Sequence, residues 1–362
     1  MENIFHTDYK KNALISYLEE PFKNKNLPLT HSNFREVLYI VKLISEFGYN
    51  IDLINYLDQG GVNYEKYQLL FGFGFPLENS FKQKINIDKR IFYATGAHST
   101  QRNAAEIYRI LALKKRKGTL LYPQRIKKYP DNLSASFSNV IFCTGNNWTI
   151  STYRPFFDGS ILSVPVSVYM FYPHQKLSRK WATAKKHFLW FGGKGLVHKG
   201  LDLCIEAFAK LPEYTLHICG PKEDDFFSVY RRELFSLPNI IFHGYVDISS
   251  LDFKCIVETC GYVIFPSCSE GGGGSVLTCM GTGLIPIVTV EASINVNDFG
   301  FIIENTEILN IINLVKYVAG LPESDIKIRS QKSYEYVLNH HDFNKFKNNI
   351  RNALIKAFNI IT

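Results

Sequence analysis

The chain has 362 residues, 46% of them hydrophobic and 20% charged, with a formal net charge of +8. That length is too great for one ordinary domain and suggests about two domains of roughly 150–200 residues each. The composition is that of a globular protein able to bury sizeable cores, and no apolar run approaches the ~20 residues that span a bilayer.

The start, Met1 to Lys10, is polar and lacks a charged-then-apolar leader pattern. A cytoplasmic protein is expected, peripheral at most on the inner face of a membrane. The seven cysteines (Cys143, Cys204, Cys219, Cys255, Cys260, Cys268 and Cys279) are odd in number and form no C-x-x-C pair, so they read as reduced core thiols.

Short β-rich runs alternate with helical patterns, which argues for parallel sheets covered by helices. Asn12–Leu18 reads as the first strand, followed by a loop through Pro21 and Pro28. Ser32 or Asn33 stands where a helix cap is expected, before Phe34, Val37, Leu38, Val41 and Ile44 at helical spacing, and Gly48 ends that helix. Strands are expected at 51–56, 67–73, 90–95, 139–144 and 161–166, with a helix over Gln101–Lys117 after Gly96.

From Arg109 to Lys128 there are eight basic residues and no acidic one, which equals the whole charge excess. A solvated helix end is one reading and attraction to an anionic membrane surface, worth ~1 kcal/mol per Lys or Arg, is the other. Nucleic acid is not expected as a partner, since no recognition module accompanies the basic run.

A second unit begins near His187. Strands are expected at His187–Phe191, Tyr214–Cys219, Ile240–Phe242, Tyr262–Phe265 and 285–290. Helices are expected at Lys199–Lys210, Phe226–Ser236, Ser249–Cys260, Ser275–Gly283 and Asn344–Phe358. The linker is expected in Val168–Lys186. The fold class is therefore α/β, with two doubly wound, Rossmann-like domains. Ligands of such sheets bind beyond the strands' carboxyl ends, where the strand order reverses.

Two segments carry chemistry. Gly192-Gly193-Lys194-Gly195-Leu196-Val197-His198-Lys199-Gly200 leaves a strand and enters a helix. Its glycines let backbone approach a ligand, the helix start offers N–H groups, and two lysines add charge, a combination suited to a diphosphate. Ser267-Cys268-Ser269-Glu270-Gly271-Gly272-Gly273-Gly274-Ser275 follows an apolar strand. Its consecutive glycines form a second candidate anion cradle, and Glu270 is placed to accept hydrogen bonds from sugar hydroxyls. No D-x-D triplet occurs to hold a cation against a diphosphate, and no G-x-G-x-x-G dinucleotide fingerprint occurs at the first segment, which sets an oxidoreductase aside.

These two segments, in order and spacing, resemble the donor half of GT-B glycosyltransferases, in particular family 4, a retaining family common in bacterial surface-polysaccharide synthesis. The family's G-R-L-x-x-x-K-G is matched by Gly193, by Lys194 for the arginine, and by Lys199-Gly200. Its E-G-F-G-L-x-x-L-E-A-x-A-x-G is matched by Glu270, Gly271, Gly273, Leu277 and Gly283. His217–Gly220 and Phe242–Val246 fall where the family has its strand-then-glycine and F-x-G-x-V segments. The likeness covers roughly 187–305 and is weak before that.

The resemblance implies a GT-B fold with two domains facing a central cleft. The implied parts are an acceptor-side domain over 1–185, a nucleotide-sugar donor domain over 186–340, and a C-terminal helix segment, 341–362, packing back on the first. It implies a hexosyltransferase-like enzyme moving a sugar from a UDP- or GDP-sugar to a hydroxyl of a glycan or lipid-linked glycan, without cofactor or metal. Lys194 and Lys199 would neutralise the donor diphosphate and Glu270 would touch the donor sugar. Ser269, Gly272, Gly273, Gly274 and Ser275 would hold phosphate or sugar oxygens. Backbone at Tyr245 and Val246 would border the nucleobase. His98, ending the strand Tyr93–Thr95, would hold a donor-sugar hydroxyl, unless it only caps the helix that follows. Gly72, Gly74, Gly145 and Asn146 are further candidates to line the cleft, whereas His340 and His341 read as structural.

One departure matters: the family's second glutamate, which binds ribose, is Thr278 here. A hydroxyl cannot clasp a ribose diol with two oxygens. A nucleotide-sugar-binding protein without transferase activity, or a GT-B epimerase, is therefore the alternative expectation.

Overall fold

The computed structural model describes residues 1–24 and 31–359; Pro28 and the chain's final three residues lie outside the described residues. Two compact units divide the chain. One comprises Met1–Thr100, Lys127–Ser167 and Phe343–Thr362, the other Gln101–Ile126 and Val168–Asp342. The stretches 101–126 and 168–185, placed with the first domain by the sequence reading, thus count with the second unit, and the C-terminal helix counts with the first.

The first unit holds a six-stranded parallel sheet of β1 (Lys11–Tyr17), β2 (Tyr49–Asn55), β3 (Leu69–Gly72), β4 (Lys89–Ala94), β5 (Val140–Cys143) and β6 (Ile161–Ser163), in the order β2-β1-β3-β4-β5-β6. Its central strands are nearly continuous apolar runs, as parallel strands covered on both faces require. The Ser32–Glu46 helix buries Val37, Ile40, Val41 and Ile44, and the Phe343–Asn359 helix adds Phe346, Ile350 and Leu354 to the same core. The first of these helices has His31 at its N-cap with no side-chain bond, so neither Ser32 nor Asn33 caps it.

Gly72 and Gly74 answer to backbone packing. A Cβ would lie 2.0 Å from the Ser16 carbonyl oxygen at Gly72 and 2.0 Å from that of Tyr56 at Gly74. Asn146 caps a short helix by accepting from the Trp148 N–H.

The second unit holds β7 (His187–Phe191), β8 (Thr215–Cys219), β9 (Ile240–Gly244), β10 (Tyr262–Phe265), β11 (Ile285–Val288) and β12 (Phe301–Ile302) in the order β12-β11-β10-β7-β8-β9. The chain builds outward from β7 through β8 and β9, then returns to the other side of β7 with β10. The switch point therefore lies between β7 and β10.

The single helix expected over Phe226–Ser236 is two, Asp224–Val229 and Arg231–Ser236. They break at Tyr230, whose buried ring sends its hydroxyl to Glu206 Oε1 at 2.6 Å. Two further helices, Ile308–Ala319 and Glu323–His340, fill a stretch where the sequence reading placed no element. The His341 carbonyl accepts from the Val168 N–H at 3.0 Å. Six of the seven cysteines are buried and all are free.

Three imidazoles form a ladder across β7, β8 and β9. His187 Nδ1 meets His217 Nε2 at 3.0 Å, and His217 Nδ1 meets His243 Nε2 at 3.0 Å. Burial, and then the neighbouring histidines, push His217 down to about 3, while burial lowers His187 and also His243, where Asp252 opposes it. In the unfolded chain a histidine titrates near 6.5, so the folded state keeps His217 neutral where the unfolded state takes up a proton. Its contribution to stability is complete above that value and is lost as pH falls, by about 1.4 kcal/mol per pH unit. We expect the stability gap between wild type and His217→Gln to narrow by roughly 2 kcal/mol between pH 7 and pH 5. Urea denaturation at the two pH values measures it, and a gap independent of pH contradicts the assignment.

Candidate active site

The loops that follow β7 and β10 are the two segments singled out in the sequence, so the fold brings them side by side at the switch point. The first is wound on itself. The Lys199 N–H donates to Gly195, that of Gly200 to Val197 and that of Leu201 to Leu196, at 2.9–3.0 Å. Of the Leu201–Phe208 helix, the first N–H, that of Leu201, is thereby used inside the loop.

The loop's anion-binding groups lie earlier, and they hold a carboxylate of the chain itself. Gly195 N–H and Leu196 N–H donate to Glu223 at 2.6 and 3.4 Å. Burial raises the Glu223 pKa, and those two donors only partly oppose the rise. Sequence reasoning missed Glu223. Its signal was an acidic residue just beyond β8, the neighbour of β7.

The second loop meets the first through charge. Lys199 is buried, and its Nζ lies 2.6 Å from Glu270 Oε1, which also accepts from Ser267 Oγ at 2.9 Å. Burial alone would raise the Glu270 pKa, but the charges of Lys199, His198 and Arg125 prevail and hold it near 2. Burial lowers the Lys199 pKa; Glu270 opposes this, while Arg125 and Arg102 reinforce it.

His198 makes the second tie. Its Nδ1 is 2.5 Å from Glu106 Oε2 and its Nε2 is 2.6 Å from the Ser269 carbonyl oxygen. Both partners are acceptors, so both contacts are filled together only when each ring nitrogen carries hydrogen. Glu106, from the Ser99–Lys117 helix, was also missed, because nothing local links it to a residue 92 positions later.

Of the expected donor residues, Gly193 and Lys194 are exposed on the first loop, and Ser269, Glu270, Gly272, Gly273, Gly274, Ser275 and Thr278 follow β10. The N–H groups of Gly272, Gly273 and Gly274 find no acceptor among the described residues, and the buried Ser269 Oγ has no partner. Thr278 turns its hydroxyl back onto the Gly274 carbonyl at 2.9 Å. Tyr245 and Val246 follow β9 at the same edge of the sheet, with Tyr245 exposed and Val246 buried. A cavity of about 390 Å³ beside the first loop is lined by Lys194, Gly195, His198, Glu223, Glu106 and Tyr122 among others. No cluster of three or more His, Cys, Asp or Glu suited to a metal ion occurs among the described residues.

His98 lies in the first unit, beyond the end of β4. It is buried and stacked on Phe156 at 4.0 Å between ring centroids. Its Nδ1 accepts from the Thr100 N–H at 3.3 Å, so it does cap its helix, yet its Nε2 is buried without a partner. Burial lowers its pKa, Lys127 acting in the same sense and Asp131 against. The neutral ring thus presents an Nε2–H donor.

Residues 174–335 match the family described as Glycosyl transferases group 1. The chain has the GT-B fold. Solved structures resemble it over nearly its whole length. Sucrose-phosphate synthase from Thermosynechococcus elongatus has a TM-score of 0.67 at 11% identity, covering 96% of this chain and 99% of that one. WaaG, a glycosyltransferase involved in lipopolysaccharide biosynthesis, has a TM-score of 0.58 at 14% identity, covering 94% and 98%. An S. aureus TarM mutant in complex with fondaparinux, α-GlcNAc-glycerol and UDP has a TM-score of 0.56 at 14% identity. The match covers 81% of this chain but only 55% of TarM. No curated protein matches by sequence.

Gly200 carries the junction of the two loops. It sits at φ +72°, and a Cβ there would lie 2.3 Å from the Pro266 carbonyl oxygen. Gly193 has nothing within 4 Å of the same position. Gly200→Ala is expected to cost more than about 2 kcal/mol, since a left-handed residue costs roughly 1–2 before the clash, whereas Gly193→Ala changes stability by less than about 1 kcal/mol. Urea denaturation of both variants decides, and equal losses contradict this reading of the junction.

Proposed function

We propose that the enzyme transfers a sugar from a UDP- or GDP-sugar to a hydroxyl of a glycan or lipid-linked glycan, with the retaining chemistry of family 4 and without a metal ion. The observation that carries this reading is the Lys199–Glu270 pair at the switch point, beside glycine N–H groups that have no acceptor among the described residues. Breaking the bond between anomeric carbon and phosphate puts negative charge on the departing diphosphate. Lys194 and Lys199 stabilise that charge more as it grows, which is what lowers a barrier. Ser269 and the N–H groups of Gly272 to Ser275 hold phosphate or sugar oxygens, and Glu270 accepts from the sugar's hydroxyls. Backbone at Tyr245 and Val246 borders the base. Thr278, whose proton is given to Gly274, meets the ribose as an acceptor only. His98 offers its Nε2–H to a hydroxyl of the donor sugar.

The basic segment takes a narrower role than its charge count suggested. Arg109 Nη2 donates to the Pro266 carbonyl at 2.7 Å, Arg116 pairs with Asp202 and Glu206, Lys117 with Glu233, and Lys127 with Asp131. Lys114, Lys115 and Lys128 are exposed, together with Tyr108, Leu111, Leu120 and Tyr122. Peripheral attachment to an anionic membrane surface, where a lipid-linked acceptor resides, then rests on these apolar and basic side chains together.

Two experiments test the proposal. Lys199→Ala, checked for an intact melting transition, is expected to reduce sugar transfer by orders of magnitude, while EDTA leaves the wild type unaffected. Near-normal turnover in the variant would sink the diphosphate assignment, and loss of activity in EDTA would sink metal independence. Vesicles containing anionic lipid should bind the wild type, and Lys114→Glu with Lys115→Glu should weaken that binding, as should added salt. Binding indifferent to both salt and the double substitution contradicts the membrane reading.

A further inference from the structure

Gly195 lies at φ +89°, and a Cβ there would sit 2.3 Å from Cγ and 2.7 Å from Cδ of Arg125. The stem of Arg125 thus fills the space above the first donor loop that any other residue at 195 would need. Arg125 is held there from both sides. Its N–H and that of Gln124 donate to Glu106 Oε1 at 3.1 and 2.8 Å, and its carbonyl accepts from Arg102 Nε at 2.9 Å. The same Glu106 grips His198 through its other oxygen. One buried carboxylate therefore fixes both the first loop and the backbone that delivers Arg125 to it.

The arginine's own side chain is not satisfied by this arrangement. Its Nε is buried without a hydrogen-bond partner. A buried donor left without an acceptor has lost its water and gained nothing in exchange. Its charge also reaches the centre of the site, favouring the ionised form of Glu270 and disfavouring that of Lys199. A cation with an unused buried donor, packed on a loop that already carries Lys194 and Lys199, calls for an anion. A guanidinium matches phosphate oxygens better than any other side chain.

We propose that Arg125 is a phosphate-binding residue of the donor site, a third cation beside Lys194 and Lys199, supplied from outside the matched segment 174–335. The inference rests on the donor reading above. It assigns to the 101–126 stretch a part in substrate binding as well as in packing.

Calorimetric titration of the full chain with UDP, GDP and ADP, with their nucleosides, and with inorganic pyrophosphate tests it. Arg125→Met keeps an unbranched stem over Gly195 and removes the charge. It is expected to weaken binding of the preferred nucleoside diphosphate, and of pyrophosphate, at least tenfold, while nucleoside affinity stays within twofold. Arg125→Lys, which keeps the charge and loses the fork, should fall between the two and serves if the methionine variant does not fold. Unchanged diphosphate affinity in these variants overturns the role of Arg125 and leaves the donor reading standing. Equal loss for nucleoside and diphosphate also overturns it, since that marks a structural effect. A wild type that binds none of these probes overturns the donor reading and this inference with it.

Discussion

The buried contact of Lys199 with Glu270 joins two loops that arrive from adjacent parallel strands, and the rest of the site is arranged around keeping that contact charged. Neither group could stay ionised alone at such depth, because an unpaired buried charge costs several kcal/mol. Each is supported by a further layer. Ser267 adds a donor to Glu270, and the charges of His198 and Arg125 draw it further toward the anion. Glu106 holds His198 on one side, and the Ser269 carbonyl takes its other nitrogen. Glu223 accepts from the N–H groups of Gly195 and Leu196 in the first loop. The result is an alternation of buried acids and bases in which each member orients the next.

That alternation explains where the chain's positive charge goes. Read as a string, Arg109 to Lys128 is a basic patch. In three dimensions the Ser99–Lys117 helix turns Arg116 toward Asp202 and Glu206, and Lys117 toward Glu233. Asp202 is fully buried, and burial lifts its pKa to about 6 although Arg109 and Arg116 oppose the rise. These partners lie in helices of the second unit, so the charges serve to dock one segment of chain on another. Local charge counting overestimates an electrostatic surface whenever such partners are distant in sequence.

The strands were legible because parallel strands buried on both faces appear as short apolar runs, and β7, β8 and β10 fell within a residue or so of expectation. The two glycine-rich loops were legible because strand, glycines and helix follow each other without interruption. What the sequence did not disclose depends on tertiary context. The helix breaks at Tyr230, whose hydroxyl reaches Glu206, and no local pattern announces it. Glu106, Glu223 and Arg125 reach the site from elements remote in sequence. The helix Ile308–Ala319 did carry a signal, with Ile311, Val315 and Val318 at helical spacing and buried, and a periodicity count there would have found it.

Thr278 bears on how the donor is recognised. A glutamate at that place would present two acceptor oxygens to a ribose diol, whereas the threonine hydroxyl has already given its proton to Gly274. On the proposed donor reading, the nucleoside end would be left with Thr278 as an acceptor and the backbone after β9. The phosphate end would gather Lys194, Lys199, Arg125 and the glycine N–H groups. If binding energy follows these contacts, charge-assisted hydrogen bonds at roughly 1.5–3 kcal/mol each outweigh neutral ones at about 1. Affinity would then reside mainly in the diphosphate, and discrimination between bases would be weak. Charge at the departing group is also where stabilisation grows during the reaction, so a site weighted toward phosphate directs its binding energy to the step that most needs it.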